Sequence, residues 1–334
     1  MSRESLVVKR LEIEIEGIVQ GVGFRPFVYK KAVELSLFGS ICNSGTGVFI
    51  ELEGSEFALK NFFQALHSAP PALSRIDTIQ QREIPIKNSH TFEIIPSSKH
   101  EKKTMLLSDI ALCDACKEEM QDSANRRFAY PFINCTECGP RYTIMQSLPF
   151  DREATSMVAF EMCNLCRAEY EDPTSRRFHM QGISCLECSP LLTLGEKSGN
   201  SEELIDALCS SLKRGEIVAL LGLGGFHLLC DATNEQSVLA LRREKRREAK
   251  PFAVMFQNMA EIEKVSHVSK NERALLLTKE RPIVLLERKK STNIANTVAP
   301  NIDKLGVFLP YTPLHELLLS RLDFPLVATS ANKS

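Results

Sequence analysis

The cysteine-bearing stretches of this chain read CDACKEEMQDSANRRFAYPFINCTEC over residues 113–138 and CNLCRAEYEDPTSRRFHMQGISCLEC over residues 163–188. The second stretch repeats the first at an offset of 50 residues, and both contain Arg-Arg-Phe at the same position. Each stretch carries two Cys-x-x-Cys pairs that are eighteen residues apart. Equal spacing together with shared non-cysteine positions predicts two copies of one structural unit.

Paired cysteines at this spacing are typical of structural zinc sites. Two thiolates separated by two residues can grip one tetrahedral zinc ion at about 2.3 Å, so four pairs supply two closed four-cysteine sites. Pairing within each repeat and nested pairing of the first pair with the fourth are both physically possible, and redox use of one pair is a minor alternative. The predicted ligands are Cys113, Cys116, Cys135, Cys138, Cys163, Cys166, Cys185 and Cys188.

The composition is that of an ordinary globular protein, with 43% hydrophobic and 25% charged residues among 334. A net charge of -1 gives no electrostatic reason to expect binding to nucleic acid or to a membrane surface. We expect neither a membrane-spanning segment nor a secretory signal, because the chain has no suitable apolar run. The protein is therefore expected in the cytoplasm, where thiols stay reduced, and eleven cysteines in a reducing compartment favour metal binding or catalysis over disulfides.

The first part of the chain predicts a small α/β domain over residues 8–96. Leu11, Ile13 and Ile15 alternate with glutamates, which is the period of a half-buried strand. The order strand, helix, two strands, helix, strand is the ferredoxin-like β-α-β-β-α-β arrangement. The expected elements after that first strand are a helix from about Pro26 to Leu37, two strands flanking Asn43–Gly47, a helix after Gly54-Ser55 and a last strand near Thr91–Ile95.

A glycine-rich segment, Gly17-Ile18-Val19-Gln20-Gly21-Val22-Gly23-Phe24-Arg25, lies between the first strand and the first helix. Glycines let backbone N–H groups turn inward and form an anion nest, which the N-terminus of the helix reinforces. Arg25 adds a planar fork that can hold a phosphate through two hydrogen bonds. The predicted phosphate-binding residues are Gln20, Gly21, Val22, Gly23, Phe24 and Arg25.

Together with Asn43 in the next glycine-containing loop, this nonapeptide resembles the G-x-V-Q-G-V-x-F-R signature of the acylphosphatase family. The resemblance implies that Arg25 binds the phosphate and that Asn43 orients the attacking water. Both residues would then be catalytic.

Residues 200–334 predict alternating strands and helices. Glu216–Leu221 is a compact apolar run that suits a buried strand, and the glycine turn Gly222–His227 after it is typical of a ligand-binding loop in an α/β sheet. His227 and His315 could be ligands or acid/base groups, although lone histidines are more often packed or solvated. The other expected signals are capping boxes at Thr233-x-x-Gln236 and Ser269-x-x-Glu272, a helix start at Thr312-Pro313 and a final strand at Pro325–Thr329.

A basic run extends from Arg242 to Lys250, and such runs are usually solvated helix faces. With the preceding glycine turn and Ser330-Ala331-Asn332 after the last strand, it resembles the YrdC-like nucleotide-binding domain, although Glu248 stands where that family often has proline. Clustered cations can neutralise a triphosphate during nucleotidyl transfer. The resemblance implies that ATP phosphates or an acyl-adenylate contact Lys245, Arg247, Lys250, Ser330 and Asn332.

The order of parts predicts an α/β multidomain protein. Its acylphosphatase-like domain (8–96), linker (97–110), double zinc-finger module (111–192) and YrdC-like twisted-sheet domain (200–334) resemble the N-terminal portion of the HypF family. Members of this family are carbamoyltransferases of NiFe-hydrogenase maturation. The last domain looks truncated, because the chain ends at Ser334 without a closing helix.

The resemblance to this family implies a relay. The first domain would hydrolyse carbamoyl phosphate, and the YrdC-like domain would join the carbamate to AMP from ATP, with Mg²⁺, releasing pyrophosphate. A further domain, absent here, would pass the carbamoyl group to the C-terminal cysteine of the partner HypE.

Two other classes of function stay open from the sequence. One is a threonylcarbamoyl-adenylate synthase of tRNA modification, which would leave the acylphosphatase signature without a purpose. The other is a non-enzymatic interaction protein whose zinc fingers bind unfolded chains or RNA. The near-zero net charge and the few aromatic residues disfavour RNA.

Overall fold

The computed structural model of the chain describes residues 7–97 and 108–332, which fall into two units. One unit comprises the chain up to Asp109 together with residues 134–188, and the other comprises residues 110–133 together with the chain from Ser189 onward. The linker predicted at residues 97–110 lies largely outside the described residues. Within the described ranges, no helix has both the length and the apolar character that a membrane crossing requires.

Residues 8–94 fold into a five-stranded sheet with two helices. Its strands are ordered β4-β1-β3-β2-β5, and the first four of these form the ferredoxin-like arrangement that the sequence predicts. The elements are β1 (Val8–Ile18), α1 (Phe24–Glu34), β2 (Phe38–Asn43), β3 (Gly47–Ser55), α2 (Glu56–Ser68), β4 (Arg75–Ile84) and β5 (Phe92–Ile94).

The position predicted for the closing strand is wrong. The strand that completes the motif is β4, which pairs antiparallel with β1, whereas the segment near Thr91–Ile95 forms the additional strand β5, parallel to β2. Most of β4 is exposed, and its half-buried residues Ile76, Ile79 and Ile84 do not alternate regularly. A strand exposed in this way leaves no period-2 signal in the sequence.

The core of this domain follows from two periodicities. Ile13 and Ile15 of β1 are fully buried, as their alternation with glutamates predicts. The buried residues of α2 lie on one helical face that packs against the sheet, and the Ser55 side chain caps this helix by accepting the N–H of Ala58. The order of elements places the loop between β1 and α1 beside the end of β2, where Asn43 lies.

The two cysteine repeats adopt matching backbone structures. The helices α3 (Asp114–Gln121) and α4 (Asn164–Glu171) each begin directly after the first cysteine of a repeat and bury the second. Ala129 and His179, which are equivalent positions, both have a positive φ, 50° and 52°. Each donates its N–H to the carbonyl at the end of its own helix over 2.9 Å. These local matches confirm the predicted repeat.

Residues 193–330 form a small two-stranded ribbon followed by a seven-stranded sheet with five helices. The sheet order is β11-β12-β13-β10-β14-β9-β8, and β10 and β13 are its parallel pair. The elements are β6 (Thr193–Leu194), β7 (Lys197–Ser198), α5 (Ser201–Lys213), β8 (Val218–Gly222), β9 (Gly225–Asp231), α6 (Glu235–Lys245), β10 (Ala253–Met255), α7 (Met259–Val265), β11 (Ser266–His267), α8 (Lys270–Leu276), β12 (Val284–Arg288), β13 (Lys304–Phe308), α9 (Pro313–Leu319) and β14 (Leu326–Ser330).

Two of the three predicted helix starts in this region are confirmed. Ser269 and Glu272 form the expected capping box of α8, and the Thr312 hydroxyl accepts the N–H of His315 at the start of α9. The capping box at Thr233 is wrong by one residue. Asn234 caps α6 because the Thr233 hydroxyl donates to Asp231 instead.

The strand predicted as buried at Glu216–Leu221 lies at an edge of the sheet. As β8 it has one neighbour, β9, and Leu220 is its buried side chain. The glycine turn after it closes an antiparallel hairpin, in which Gly222 pairs with Gly225. An apolar run alone does not distinguish an edge strand from a central one.

Candidate functional site

The second cysteine repeat gathers four thiols at the separations that a tetrahedral metal site requires. The Sγ–Sγ distances are 3.7 Å for Cys163–Cys185, 3.8 Å for Cys185–Cys188 and 3.6 Å for Cys166–Cys188. Sulfur atoms about 2.3 Å from a central zinc ion form a tetrahedron with edges of about 3.8 Å. The four side chains therefore fit a zinc ion at its ordinary bond length.

The first repeat gathers its four cysteines in the same way. In each group the ligand atoms lie within 4.8 Å of one another, so the cysteines group within each repeat rather than in the nested alternative. Cys135 and Cys138 have their Sγ atoms 3.8 Å apart, and the N–H of Glu137 donates to the Cys135 sulfur. Both groups suit structural zinc, with all four positions of the tetrahedron taken by protein.

The glycine loop before α1 adopts the conformation of an anion nest. Gly21 and Gly23 have φ values of 69° and 73°, which a residue with a side chain rarely adopts. Gly23 is also the N-cap of α1 and has no side chain that could take up the first N–H groups of the helix. Because the first N–H groups of a helix have no acceptor within it, this terminus can receive an anion.

Arg25 and Asn43 line the same small cavity as this loop. Both side chains are buried, with 9% and 1% of their surface exposed. The Nδ2 of Asn43 donates to the carbonyl of Phe150, while its buried Oδ1 has no hydrogen-bond partner among the described residues. The structure therefore brings the two predicted catalytic residues to one cavity and leaves the Asn43 Oδ1 as an acceptor without a partner among the described residues.

Gln20 is buried, and its side-chain amide bonds to neighbouring backbone groups rather than facing the cavity. Its Nε2 donates to the carbonyls of Ser44 and Gly47 over 2.8 and 2.7 Å, and its Oε1 accepts the N–H of Phe150. Any contact of Gln20 with a phosphate would therefore be made by its backbone.

The second wall of the cavity comes from the zinc-finger region, which the sequence did not predict. Thr136, Phe150, His179, Met180 and Gln181 complete its lining. Burial lowers the pKa of His179 to about 4, and the positive charge of Arg25 adds to this effect while Asp151 opposes it. His179 is therefore neutral at physiological pH.

Arg141 joins the first cysteine repeat to the glycine loop. It is 1% exposed, and its five N–H groups all donate to backbone carbonyls. Burial lowers the pKa of Arg141, and the negative charges of Cys138, Cys135 and Asp109 oppose this effect. Because a trans peptide points its C=O and N–H in opposite directions, the bond to Gly21 also fixes the direction of the Val22 N–H. The acceptors of Arg141 are the carbonyls of Gly21, Cys135, Thr136, Cys138 and Pro140.

Divergence between the repeats is the signal that could have revealed these residues. Fifty residues after Arg141 the second repeat has Leu191, and fifty residues before His179 the first repeat has Ala129. Arg141 and His179 both contribute to the anion cavity or its support, whereas shared positions such as the cysteines hold the metal. Residues that differ between two copies of one unit are candidates for a role that only one copy has.

In the other unit, the structure brings together three of the predicted nucleotide-binding residues. The Nζ of Lys245, at the end of α6, donates to the carbonyls of Ser330 and Asn332 over 2.6 and 2.7 Å. The Ser330 hydroxyl donates to the Asn332 side chain. Burial lowers the pKa of Lys245, and the neighbouring Arg247 adds to this effect.

Arg247 lies close to this group, while Lys250 is exposed. Arg247 donates to the Lys250 carbonyl and to the Thr329 hydroxyl, and its guanidinium lies 4.8 Å above the ring of Phe252. The buried Arg242, which the sequence did not single out, donates to the carbonyls of Arg247 and Lys250. It thereby shapes the turn on which the predicted cations lie.

His227, Tyr311 and His315 form a cluster in the same unit, in which His315 is buried and the other two are half-buried. The Tyr311 hydroxyl lies 3.3 Å from the Nε2 of His227, and the rings of Tyr311 and His315 are 4.8 Å apart. Neither ring nitrogen of His315 has a hydrogen-bond partner among the described residues, and burial lowers its pKa to about 3. His315 is therefore packed and neutral.

Three family models match the chain, one for each predicted part. Acylphosphatase matches residues 11–94, HypF finger matches residues 112–145 and 162–194, and the Sua5, YciO and YrdC model, described as telomere recombination, matches residues 210–334.

Curated relatives and solved structures match the same combination of parts. Carbamoyltransferase HypF of Synechocystis sp. is 47% identical over 98% of this chain and 43% of the relative. Acylphosphatase of Thermotoga petrophila is 47% identical over 20% of this chain and 73% of the relative. The crystal structure of full-length HypF in the phosphate- and nucleotide-bound form superposes with a TM-score of 0.94 at 44% identity, covering 98% of this chain and 43% of that one. The chain thus spans less than half the length of the HypF proteins that it matches.

Proposed function

The chain belongs to the HypF family of carbamoyltransferases, and from that premise we propose that it hydrolyses carbamoyl phosphate and forms carbamoyl-adenylate from ATP. One observation carries the hydrolytic step. Arg25 and Asn43 line a single cavity at the N-terminus of α1, and the Oδ1 of Asn43 is left without a partner among the described residues.

The hydrolytic site needs little beyond positioning. The phosphate lies against the loop N–H groups and the Arg25 guanidinium, which stabilise charge on its oxygens. The Oδ1 of Asn43 accepts a hydrogen bond from the water that attacks phosphorus. Carbamate leaves as an anion, so the step requires no general acid.

The adenylation step uses the group around Lys245. A carbamate oxygen attacks the α-phosphorus of ATP, and the bond from the α-phosphorus to pyrophosphate breaks. Mg²⁺, when bound to ATP, would neutralise part of the charge on the phosphates. The contact of Lys245 with the backbone of Ser330 and Asn332 supports placing these residues at one nucleotide site. Cations at such a site neutralise the charge of the triphosphate. The proposed set is Lys245, Arg247, Lys250, Ser330 and Asn332.

The proposal extends to the organisation and setting of the chain. Its domains are the acylphosphatase-like part (8–96), the zinc module (111–192) and the YrdC-like part (200–334). The final acceptor of the carbamoyl group is the C-terminal cysteine of HypE, reached by the full-length enzymes of the family. A cytoplasmic location suits the eight zinc thiolates, because they require a reducing compartment.

The release of phosphate from carbamoyl phosphate by the whole chain tests the hydrolytic step. Arg25→Ala should lower kcat/KM by about 100-fold or more, because a charged donor to the transferring phosphoryl group is lost. Arg75→Ala, which removes an exposed arginine of the same unit, should leave kcat/KM unchanged. Equal activity of Arg25→Ala and the unchanged chain would refute the assignment. Adenylate formation that depends on threonine and bicarbonate would favour the tRNA-modification alternative.

A further inference from the structure

The hydrolytic site receives side chains and backbone groups from a segment outside the acylphosphatase-like domain. This segment, Pro149–Asp151, lies between the two cysteine repeats and is called here the 149–151 loop. The loop belongs to the same unit as Arg25 and Asn43. None of the sequence signatures of the first domain includes it, so its contacts with both residues need a separate explanation.

Asp151 holds Arg25 from outside the cavity. Its Oδ1 lies 2.7 Å from the Nη1 of Arg25, and its Oδ2 accepts the hydroxyl of Ser97. Asp151 is not part of the cavity lining, whereas Arg25 is. The carboxylate therefore engages one end of the guanidinium without standing where an anion in the cavity would bind. A planar fork fixed at one nitrogen presents its other N–H groups in a defined direction.

The peptide groups of Phe150 hold the catalytic amide. The Phe150 N–H donates to Gln20, and its carbonyl accepts from the Nδ2 of Asn43 at 3.3 Å and from the Nη2 of Arg25 at 3.5 Å. A carbonyl can accept only from the NH₂ end of an amide. The contact thereby decides which end of the Asn43 amide is turned away from the loop. That end is the Oδ1, for which the described part of the chain offers no hydrogen-bond partner.

Hydrogen bonds to the second cysteine repeat fix the 149–151 loop in turn. The N–H of Arg152 donates to the side chain of Gln181, and its guanidinium donates to the carbonyls of Gln181 and Ile183. Ile183 lies two residues before the zinc ligand Cys185. Hydrogen bonds between a metal site and a neighbouring segment restrain the backbone of that segment.

We propose that Asp151 is a positioning residue for acyl phosphate hydrolysis, orienting Arg25 for the phosphate while the Phe150 carbonyl orients Asn43 for the water. This inference rests on the proposed function, since it assigns a role within the same site. It also means that the acylphosphatase-like domain by itself has an incomplete site, which the zinc module completes.

The test compares three variants of the whole chain, Asp151→Ala, Asp151→Asn and Glu153→Gln. Asparagine is isosteric: its Oδ1 can accept from Arg25, and its Nδ2 can donate to the Ser97 hydroxyl. Glu153 is an exposed acid two residues along the chain, so Glu153→Gln removes the same charge away from the site. The measurements are kcat and KM for carbamoyl phosphate and for acetyl phosphate, and the inhibition constant of inorganic phosphate.

The expected pattern separates orientation from charge. Asp151→Ala should lower kcat/KM by about tenfold, the size expected when one charge-assisted hydrogen bond is lost, with a matching rise in the phosphate inhibition constant. Asp151→Asn should keep kcat/KM within about threefold of the unchanged chain, and Glu153→Gln should match it. Zinc content and circular dichroism check that each variant is folded.

Three results would overturn the inference. Unchanged activity of Asp151→Ala would show that Arg25 needs no orientation, and tighter phosphate inhibition in that variant would show that the carboxylate competes with the anion. An equal loss in Asp151→Asn and Asp151→Ala would show that the charge matters rather than the hydrogen bond. Failure of the proposed function gives a different result. In that case the unchanged chain releases no phosphate from carbamoyl phosphate, or releases it at a rate that Arg25→Ala does not lower.

Discussion

Arg141→Lys tests whether the zinc module supports the anion loop through one buried cation. The five N–H groups of Arg141 donate to five backbone carbonyls, one of them Gly21 in the glycine loop. Lysine keeps the charge but has three N–H groups on a single nitrogen. The substitution therefore removes hydrogen bonds without removing the cation that faces the cysteines.

The magnitude follows from the number of acceptors left without a donor. At least two of the five carbonyls lose their partner, and a buried group left unsatisfied costs about 1–3 kcal/mol; the bonds to Cys135 and Cys138 are buried. The free energy of unfolding should fall by roughly 3 kcal/mol. For a domain of about 150 to 250 residues, 1 kcal/mol corresponds to about 2–4 °C in Tm, so a decrease of roughly 6–12 °C is expected.

Differential scanning calorimetry with zinc in excess measures this change. The matched control is Arg75→Lys, because Arg75 is exposed and contacts the neighbouring exposed Asp77. A surface pair of this kind contributes under about 1 kcal/mol, so the control should shift Tm by no more than about 4 °C. Phosphate release should show a raised KM for carbamoyl phosphate in Arg141→Lys, since the Gly21 peptide is no longer held.

The reasoning fails if Arg141→Lys unfolds within about 2 °C of the Arg75→Lys control. Such a result would mean that water or a shifted lysine satisfies the five carbonyls. A normal Tm with a raised KM would separate the two roles of Arg141 and leave only its effect on the loop.

Removal of zinc with a chelator should unfold residues 163–188 and abolish phosphate release, because His179 and Gln181 of that segment line the cavity. Phosphate release that survives complete metal loss, as measured by metal analysis, would contradict this prediction. Lys245→Met should weaken ATP binding by about tenfold in calorimetric titration. The control Arg243→Met removes an exposed cation nearby and should leave the affinity for ATP unchanged. Equal losses of affinity would indicate nonspecific charge attraction. Acidification should destabilise the unit that contains His315, because the unfolded residue takes up a proton below pH about 6.5 while the folded residue stays neutral down to about 3. This contribution is fully present above pH 6.5 and falls by roughly 1.4 kcal/mol at pH 5.5, and His315→Leu should flatten that slope in urea unfolding.

The strand missed in the first domain shows where reasoning from the sequence is weakest. Ile13 and Ile15 were predicted to be buried because β1 has one face toward the core, and alternation along a strand is a local property. β4 was missed because pairing with β1 specifies it, and most of its side chains face solvent. The edge position of β8 was missed for the same reason, since strand order depends on partners distant in the sequence.

The sequence by itself predicted the two four-cysteine groups, the glycine loop before α1 and the three parts of the chain. Each of these predictions depends on residues close together in the chain, because two cysteines at this spacing can bind one metal ion and a glycine turn before a helix can form an anion nest. The local grouping of the cysteines, which the sequence left open, was decided by the fold.

Only the tertiary structure could decide which distant segments complete the proposed hydrolytic site. Arg25 and Asp151 are far apart in the chain, and nothing in either local segment indicates that their side chains meet at 2.7 Å. The same holds for Asn43 and the Phe150 carbonyl, because a backbone acceptor carries no residue-specific signal at all. A site made of residues that are close in the chain can be predicted from their spacing. A contact between distant segments forms only when the packed core fixes the positions of both segments.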